Sequence, residues 1–393
     1  MDTKFDILSI NERLKQDKSG SVINGCIGTF RDDNHELISF KPVIEYLSLY
    51  SHSYLQYPNL YGNKDFLDGV FNWIFEKNAD TIRTTHDICS IATLGGTGAL
   101  WNVFKYYADQ KGAVVISDIC WPNNFTIAHN VGIDVYKYQT FDGIYNFNGL
   151  KLAIEEACKT HEKVLVLIND PCQNPTGYCM SKEEYDLLFD MLSDFSVGEK
   201  EVDVLFDIAY FNYSTNQFPL IEKLKDSYNF NIYIAFSASK SFGVYGIRCG
   251  ALFGLMKNKD EVEKLRNKLH DQIRGSYSCP NYEAIGPIGN LLNNPEKILE
   301  MRKELTMQRD FLHSRSLKAR EIFKSSGIKF LPCNDGFFIS IITNQDAIVI
   351  CSKLERMHIY VSPMGDKLIR IGVCSLTTSE TEILARAIKA FDN

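Results

Sequence analysis

The sequence contains no apolar stretch long enough to span a bilayer, and its polar first residues lack the apolar core of a signal peptide. It also lacks an excess of positive charge, because 42 Lys+Arg stand against 49 Asp+Glu and give a formal net charge of -7. A nucleic-acid-binding role therefore has no electrostatic basis. Hydrophobic residues make up 45% and charged residues 23%, which is typical of a soluble globular protein. We expect neither a membrane nor a nucleic acid among its partners.

Cysteine is present without the patterns that bind metals or form disulfide frameworks. The chain has 11 cysteines, an odd number, with no Cys-x-x-Cys pair, and its 8 histidines form no cluster with the spacing of metal ligands. Free thiols in a reducing compartment explain this pattern better than disulfides or a zinc site. We therefore predict a cytoplasmic protein without a bound metal.

The two common nucleotide-binding motifs are missing as well. Residues 91–98 read as a strand followed by a glycine turn and the start of a helix, but they contain neither Gly-x-Gly-x-x-Gly nor a Gly-Lys-Ser/Thr ending. A dinucleotide-binding fold and a P-loop are therefore disfavoured. The turn could still bind a phosphate through Gly96 and Thr97, because backbone N–H groups converge at a helix start. The simpler alternative is that this segment is only a turn.

Short apolar runs alternate with amphipathic segments over the first 290 residues. The clearest of these runs are Ala113–Ile116, Val164–Ile168, Val202–Phe206 and Ile232–Phe236. This alternation predicts an α/β fold with a mainly parallel sheet that has helices on both faces. Ligands of such sheets bind beyond the carboxyl ends of the strands, and polar or aromatic residues follow each of these runs. The 393 residues are enough for two domains.

A single lysine follows the last of these runs. Lys240 stands among Ser237, Ser239 and Arg248. A partly desolvated lysine near another cation has a lowered pKa, so its amine can attack a carbonyl. The two hydroxyls and the guanidinium are suited to phosphate oxygens. An aldehyde on the lysine beside a bound phosphate describes pyridoxal 5'-phosphate, PLP. The alternative is a basic loop that caps a strand.

Other strand ends carry the remaining groups that PLP chemistry needs. Asp207 could pair with the protonated pyridine nitrogen, although an aspartate that caps a helix would look the same. Asn174 and Tyr210 could donate hydrogen bonds to the phenolic oxygen of the cofactor, but Asn-Pro turns are common. Trp121 could stack on the ring, although most such tryptophans are core residues. Their shared sheet edge makes the combined pattern more specific than any single residue.

The combined pattern resembles the aspartate/aromatic branch of the class I aminotransferases, which are fold-type I PLP enzymes. The matching pieces run almost from end to end: Asn24–Gly28, Tyr57, Gly96–Leu100, Trp121, Asn174–Gly177, Asp207–Tyr210, Ser237–Gly243, Arg248 and Arg370–Val373. The resemblance implies a mainly parallel sheet of the seven-stranded type in a large PLP-binding domain, together with a smaller α+β domain. We place the large domain at residues 46–292, the small domain at 293–393, and an arm with part of the small domain at 1–45.

The resemblance also implies roles for residues outside the lysine loop. It implies a homodimer with shared active sites, in which Tyr57 reaches the cofactor phosphate of the neighbouring subunit. Arg370 would clamp the α-carboxylate of the substrate, helped by Asn174 and the backbone of Gly28. Arg274 would pair with the distal carboxylate of a substrate across the dimer. Lys240, Asp207 and Tyr210 would be the catalytic residues.

Three positions depart from the family pattern and leave the preferred substrate open. Gln173 and Asn124 stand where the branch has histidines, and Cys279 stands where it has asparagine. The reaction expected is ping-pong transfer of an amino group from a dicarboxylic or aromatic L-amino acid to a 2-oxo acid such as 2-oxoglutarate. One alternative is a PLP-dependent carbon–sulfur β-lyase. A non-catalytic regulator on the same fold is disfavoured, because too few residues precede Tyr57 for an added DNA-binding domain.

Overall fold

The computed structural model describes residues 6–49, 51–198 and 200–392. Residues 1–5 of the predicted N-terminal arm lie outside the described part. The strands are β1 Ile23–Asn24, β2 Asp87–Leu94, β3 Ala113–Ser117, β4 Asp134–Tyr138, β5 Phe141–Asp142, β6 Ile144–Tyr145, β7 Lys163–Asn169, β8 Glu201–Asp207, β9 Ile232–Ser237, β10 Cys249–Met256, β11 Lys329–Phe330, β12 Phe338–Ile342, β13 Ile359–Tyr360, β14 Ser362–Pro363 and β15 Leu368–Gly372.

The α-helices are α1 Ile7–Gln16, α2 Lys41–Leu47, α3 Lys64–Phe75, α4 Ala79–Thr85, α5 Gly95–Ala108, α6 Asn123–Val131, α7 Phe147–Thr160, α8 Lys182–Phe195, α9 Leu220–Lys223, α10 Ala238–Ser241, α11 Lys259–Ser276, α12 Tyr282–Leu292, α13 Pro295–Ser325, α14 Ala347–Glu355 and α15 Thr378–Asp392. Single 3₁₀ turns lie at His52–Leu55, Glu76–Asn78, Phe211–Tyr213 and Val373–Ser375. Within the described ranges, no helix combines the length and apolar character that crossing a bilayer requires.

A seven-stranded sheet organises the larger part of the chain. Its strand order is β2-β10-β9-β8-β7-β3-β4, and only β10 runs antiparallel to its neighbours. The strands are buried on both faces because helices cover each side. Along β8, for example, Val204 and Phe206 pack into one apolar cluster while Leu205 packs into another. The predicted α/β class with a mainly parallel sheet is confirmed.

Local sequence signals explain where several of the long helices begin. Ser181 and Glu184 form a reciprocal capping box at the start of α8. Asn294 accepts hydrogen bonds from the first turn of α13, and proline follows at its first position. The capping box fixes the start of α8, the helix that follows the loop after β7.

A second, antiparallel sheet of order β11-β12-β15-β14 has its own apolar cluster. The N-terminal segment packs against this C-terminal part: β1 pairs in parallel with β13, and Arg13 on α1 donates to Glu355 at 2.6 Å. Ile10 on α1 packs with Cys26 and Tyr360. The N-terminal segment thereby reaches the same edge of the large sheet that carries the predicted site.

Candidate active site

The carboxyl ends of the parallel strands open into a cavity of about 280 Å³. Twelve of the site residues predicted from the sequence line it: Gly28, Gly96, Thr97, Trp121, Asn174, Asp207, Tyr210, Ser237, Ser239, Lys240, Arg248 and Arg370. They come from seven separate places in the chain, and the sheet topology brings them together. The location follows the rule that ligands of open α/β sheets bind beyond the strand ends.

Lys240 lies on the one-turn helix α10, directly after β9. Its partly buried side chain borders the cavity, and burial lowers the pKa of its ammonium to about 8. Arg248 and Arg370 lower this pKa further, while Cys374 and Asp207 oppose them. An amine with this pKa is available as a nucleophile and as a base near neutral pH.

The first turn of α5 forms an anion seat beside the lysine. Gly95 has φ +70, and a Cβ there would lie 2.5 Å from a guanidinium nitrogen of Arg248. A Cβ on Gly96 would lie 3.1 Å from the Cβ of Ser237. The Nη1 atom of Arg248 donates to Ser239 Oγ at 3.3 Å. Backbone N–H groups, hydroxyls and a guanidinium therefore converge on one volume, which suits a phosphate.

Asp207 ends β8, next to the lysine strand in the sheet. Its carboxylate is only 8% exposed and accepts a hydrogen bond from the Ala209 N–H at 3.1 Å. Burial raises the pKa of this carboxyl to about 6, against the lowering effects of Ala209 and Lys240. A carboxylate buried at this cost needs a cationic partner, and a protonated ring nitrogen would provide one.

Arg370 and Asn174 meet on the opposite wall of the cavity. Arg370 Nη1 donates to Asn174 Oδ1 at 3.2 Å, and Nη2 donates to the Cys26 carbonyl at 2.8 Å. The guanidinium is 3% exposed, lies 4.4 Å from the centre of the Phe338 ring, and its buried Nε has no hydrogen-bond partner among the described residues. Burial lowers the pKa of Arg370 from its usual value. An incompletely paired buried guanidinium at a cavity wall is suited to a carboxylate.

These residues fit PLP at each of its polar groups. The anion seat matches the phosphate, Asp207 matches the ring nitrogen, and Lys240 matches the aldehyde carbon. Tyr210 lies within reach of the lysine, whose Nζ is 5.7 Å from the centre of its ring. Burial raises the pKa of the Tyr210 phenol, so the phenol keeps its proton and can donate it in a hydrogen bond.

Two predicted residues do not line this cavity. Tyr57 is 91% exposed, and Arg274 is an exposed residue whose Nη1 donates to Ser278 Oγ at 3.0 Å. Both were assigned to a site shared between subunits, and their roles stay predictions.

The departures from the family pattern lie around the cavity rather than in it. Gln173 donates to the Ile119 carbonyl at 3.1 Å and accepts from Thr176. Asn124 is buried, and its Oδ1 has no partner within the described ranges. Cys279 follows the Arg274 helix in a loop where its N–H donates to the Tyr277 carbonyl.

Sequence reasoning missed several residues that border the cavity: Ile7, Ile27, Thr29, Leu100, Asn169, Ala209, Tyr245 and Phe338. Asn169 ends β7 and could have been found from the same strand-end rule, since it donates to the Asp207 carbonyl and accepts from the Asn174 N–H. Tyr245 lies five residues after Lys240 in the same connection. Ile7 gave no signal, because a helix residue distant in sequence reaches the cavity only through tertiary packing.

Known proteins resemble this chain over nearly its whole length. The family model for aminotransferase class I and II matches residues 21–388. An aspartate aminotransferase from Pseudomonas aeruginosa is 25% identical, over 97% of this chain and 96% of that protein. The crystal structure of an aminotransferase from Anaerococcus prevotii superposes with a TM-score of 0.90 at 27% identity, covering 98% of this chain and 96% of that one.

An aromatic-amino-acid aminotransferase from Burkholderia pseudomallei, crystallised covalently bound to pyridoxal phosphate, shares the fold. Its TM-score is 0.81 at 23% identity, with 98% of this chain and 96% of that chain covered.

Proposed function

We propose, on the premise that the chain belongs to the aminotransferase class I and II family, that its cavity transfers an amino group from an L-amino acid to a 2-oxo acid with PLP. The observation that carries the proposal is the placement of Lys240 beside Asp207, between an anion seat and the Arg370–Asn174 pair. When bound, PLP supplies an electron sink that stabilises negative charge at the α-carbon of the substrate.

Each group of the cavity has one task in this reaction. The first turn of α5, Ser237, Ser239 and Arg248 would hold the phosphate. Asp207 would keep the ring nitrogen protonated, because a buried carboxylate is stabilised by a neighbouring cation. Tyr210 and Asn174 would donate hydrogen bonds to the phenolic oxygen, and Trp121 would cover the ring face.

Lys240 first holds the cofactor and then moves a proton. With the substrate amine in its place, the free Nζ would act as the base that accepts the proton of the substrate α-carbon and would hold that proton for its onward transfer. Arg370 holds the α-carboxylate during this step, with Asn174 and the Gly28 backbone beside it. A fixed carboxylate orients the α C–H bond, which removes much of the entropic cost of the proton transfer.

We propose dicarboxylic or aromatic amino acids as the donors. The relatives named above include an aspartate and an aromatic-amino-acid aminotransferase. A second cavity of about 920 Å³ shares Ile7 and Trp121 with the first and has largely apolar walls, including Phe125 and Met364. An apolar cavity of this size favours binding of a substrate with a large apolar side chain. Arg274 would add the charge that a second carboxylate needs.

The remaining assignments concern assembly and location. A homodimer is supported by exposed apolar side chains close together in the chain, since Leu49, Leu55 and Tyr57 are 57%, 63% and 91% exposed. In such a dimer Tyr57 and Arg274 would enter the partner's cavity. Cytoplasmic location is supported by eleven cysteines that are all free. The domain limits near residues 45 and 292 are part of the same proposal.

A donor panel tests the reaction. The purified protein with PLP is given aspartate, glutamate or phenylalanine, with 2-oxoglutarate or oxaloacetate as an acceptor that differs from the donor's own oxo acid, and the new amino acid is quantified. We expect activity in the parent protein and in Tyr136→Phe, a tyrosine on the distant edge strand β4, but not in Lys240→Ala. Pyruvate and a free thiol from a cystathionine-like substrate, without any acceptor, would instead identify a β-lyase.

A further inference from the structure

Tyr245 makes three contacts that connect parts of the cavity otherwise distant in sequence. It lies in the connection between β9 and β10 that also carries Lys240, and it borders the cavity. The centre of its ring is 4.8 Å from Lys240 Nζ. Its phenol oxygen accepts a hydrogen bond from the Phe30 N–H at 3.0 Å, and its carbonyl accepts from Arg248 Nη1 at 3.0 Å.

The contact with the Tyr245 ring favours the protonated, ammonium form of Lys240. An ammonium over the face of an aromatic ring is stabilised by the negative charge density of that face, and this effect strengthens when water is excluded. The other side chains that act on the Lys240 charge or lie near it are Asp207, Arg248, Arg370, Cys374 and Tyr210. Arg248 and Arg370 are cations that destabilise the ammonium form of Lys240. The Tyr245 ring stabilises that form, so its effect on the Lys240 pKa is opposite to theirs.

The phenol contact reaches the segment on the substrate side of the cavity. Phe30 follows Ile27, Gly28 and Thr29, which all border the cavity. Burial raises the pKa of the Tyr245 phenol, so the group is neutral at physiological pH and its oxygen remains an acceptor for the Phe30 N–H.

Tyr213 and Tyr245 both connect Lys240 to Phe30. The Phe30 and Tyr213 rings pack edge to face with their centres 5.9 Å apart, and the Tyr213 hydroxyl donates to the Lys240 carbonyl at 3.0 Å. The Tyr245 ring contacts the lysine amine, and the Tyr245 phenol accepts the hydrogen bond from Phe30. The lysine is therefore held from its backbone and from its side chain by two tyrosines that both contact Phe30.

We propose that Tyr245 is a positioning residue for amino transfer, whose ring stabilises Lys240 while the lysine carries the substrate proton and whose phenol fixes the segment 27–30 against the bound substrate. The proposal rests on the proposed function for its meaning in catalysis. Its two halves have separate chemical causes, so two substitutions separate them: Tyr245→Phe keeps the ring and removes the phenol, whereas Tyr245→Leu removes both.

The first experiment measures the lysine directly in the full-length protein without cofactor. Competitive labelling with acetic anhydride over a pH series, read by mass spectrometry of the Lys240 peptide, gives the pKa of its amine. We expect Tyr245→Leu to lower this pKa by about half a unit to one unit, and Tyr245→Phe to leave it unchanged. Tyr136→Phe and Tyr136→Leu are matched controls that should match the parent protein. Tyr245→Met replaces the leucine variant if circular dichroism shows that variant to be unfolded.

The second experiment uses the holoenzyme and separates KM from kcat. Tyr245→Phe should raise KM for the amino donor by about three- to tenfold with a nearly unchanged kcat, because the lost acceptor leaves the Phe30 N–H unpaired and loosens the substrate-side segment. Tyr245→Leu should also lower kcat. It should shift the pH profile of kcat to lower pH by as many units as the labelling experiment shows for the pKa of the Lys240 amine.

Different results overturn different halves of the proposal. An unchanged Lys240 pKa in the folded ring-free variant would overturn the role of the ring, and an unchanged KM in Tyr245→Phe would overturn the role of the phenol. The labelling result does not depend on turnover, so failure of the proposed function would appear instead as an inactive parent protein with a normal Tyr245 effect on the lysine.

Discussion

The lysine edge of the sheet and the two exposed residues Tyr57 and Arg274 were assigned to one site by the same sequence pattern, yet they differ in their surroundings. Lys240 and Asp207 border one cavity and are constrained by contacts within this chain. Tyr57 is 91% exposed, and the one hydrogen bond described for the Arg274 guanidinium goes to Ser278, four residues away. The first region is therefore enclosed by its own chain, while the second is exposed to solvent.

This difference separates two kinds of functional residue. Burial is the largest influence on Lys240 and Asp207, because it lowers the pKa of the amine to about 8 and raises that of the carboxyl to about 6. Tyr57 and Arg274 are exposed instead, so the roles predicted for them would require a second chain. We expect chemistry to fail when the first region is changed and substrate choice to change when the second is altered.

The largest effect should come from the lysine. Lys240→Ala removes both the amine that holds the cofactor and the base that moves the α-proton, so kcat/KM should fall by about four orders of magnitude or more for every donor. Steady-state assays with aspartate and phenylalanine measure this. Loss of activity confined to one donor would place Lys240 with the specificity residues. It would contradict the expected difference between the cavity residues and the exposed residues.

Asp207 should act through its charge, and its loss should be the next largest. Asp207→Asn keeps the shape but removes the partner of the ring nitrogen, which costs about 3–5 kcal/mol, or roughly 10²- to 10⁴-fold in kcat/KM. Asp207→Glu is the matched control and should retain much more activity. An asparagine variant as active as the parent protein would show that the carboxylate does not contact the cofactor.

Arg274 should select the substrate instead of driving the chemistry. A charge-assisted contact to a distal carboxylate contributes about 1.5–3 kcal/mol, so Arg274→Ala should lose about one to two orders of magnitude in kcat/KM for aspartate and much less for phenylalanine. Mixing this variant with Lys240→Ala subunits should restore part of the aspartate activity, since one site of the mixed dimer then has both residues. Equal losses for both donors, or no restoration, would make Arg274 a structural residue of its own chain.

The last predicted effect concerns the free energy of unfolding instead of the activity, and it depends on pH. The Asp207 carboxyl has its pKa raised to about 6, above the ordinary value of about 3.9 in an unfolded chain. Between about pH 4 and pH 6 the folded chain binds more protons than the unfolded chain, so this carboxyl lowers the stability of the protein as the pH rises through that window.

Asp207→Asn lacks this titration. Without cofactor the variant should therefore be more stable than the parent protein at pH 7 by roughly 3 kcal/mol, and the difference should shrink towards pH 4. Thermal unfolding of both proteins at several pH values measures it. A difference that is constant over this range would have a cause other than charge.

The sheet and most of the site residues at its strand ends could be predicted from the sequence, because short local patterns mark both. Short apolar runs such as Val202–Phe206 mark buried strands, and the polar residue that follows each run lies at the same edge in a parallel sheet. Lys240, Asp207 and Asn174 were found in this way. Asn169 satisfies the same rule and was overlooked, so that omission has no physical cause.

Other parts of the site depend on packing between distant segments, which no local pattern encodes. Ile7 reaches the cavity because α1 packs on Cys26 and Tyr360. The hydrogen bond from Phe30 to Tyr245 joins residues 215 apart in the chain. The sequence pattern also gave no indication that Asn124 is buried with an oxygen that has no partner among the residues described, or that Gln173 donates to the Ile119 carbonyl.

Mapping the cofactor attachment tests the central claim most directly. The holoenzyme is reduced with borohydride and digested, and the peptide that carries the pyridoxyl group is sequenced by mass spectrometry. We expect a single labelled residue, Lys240, with no label in Lys240→Ala and a normal label in Arg274→Ala. A pyridoxyl group on any other lysine of the parent protein would contradict it.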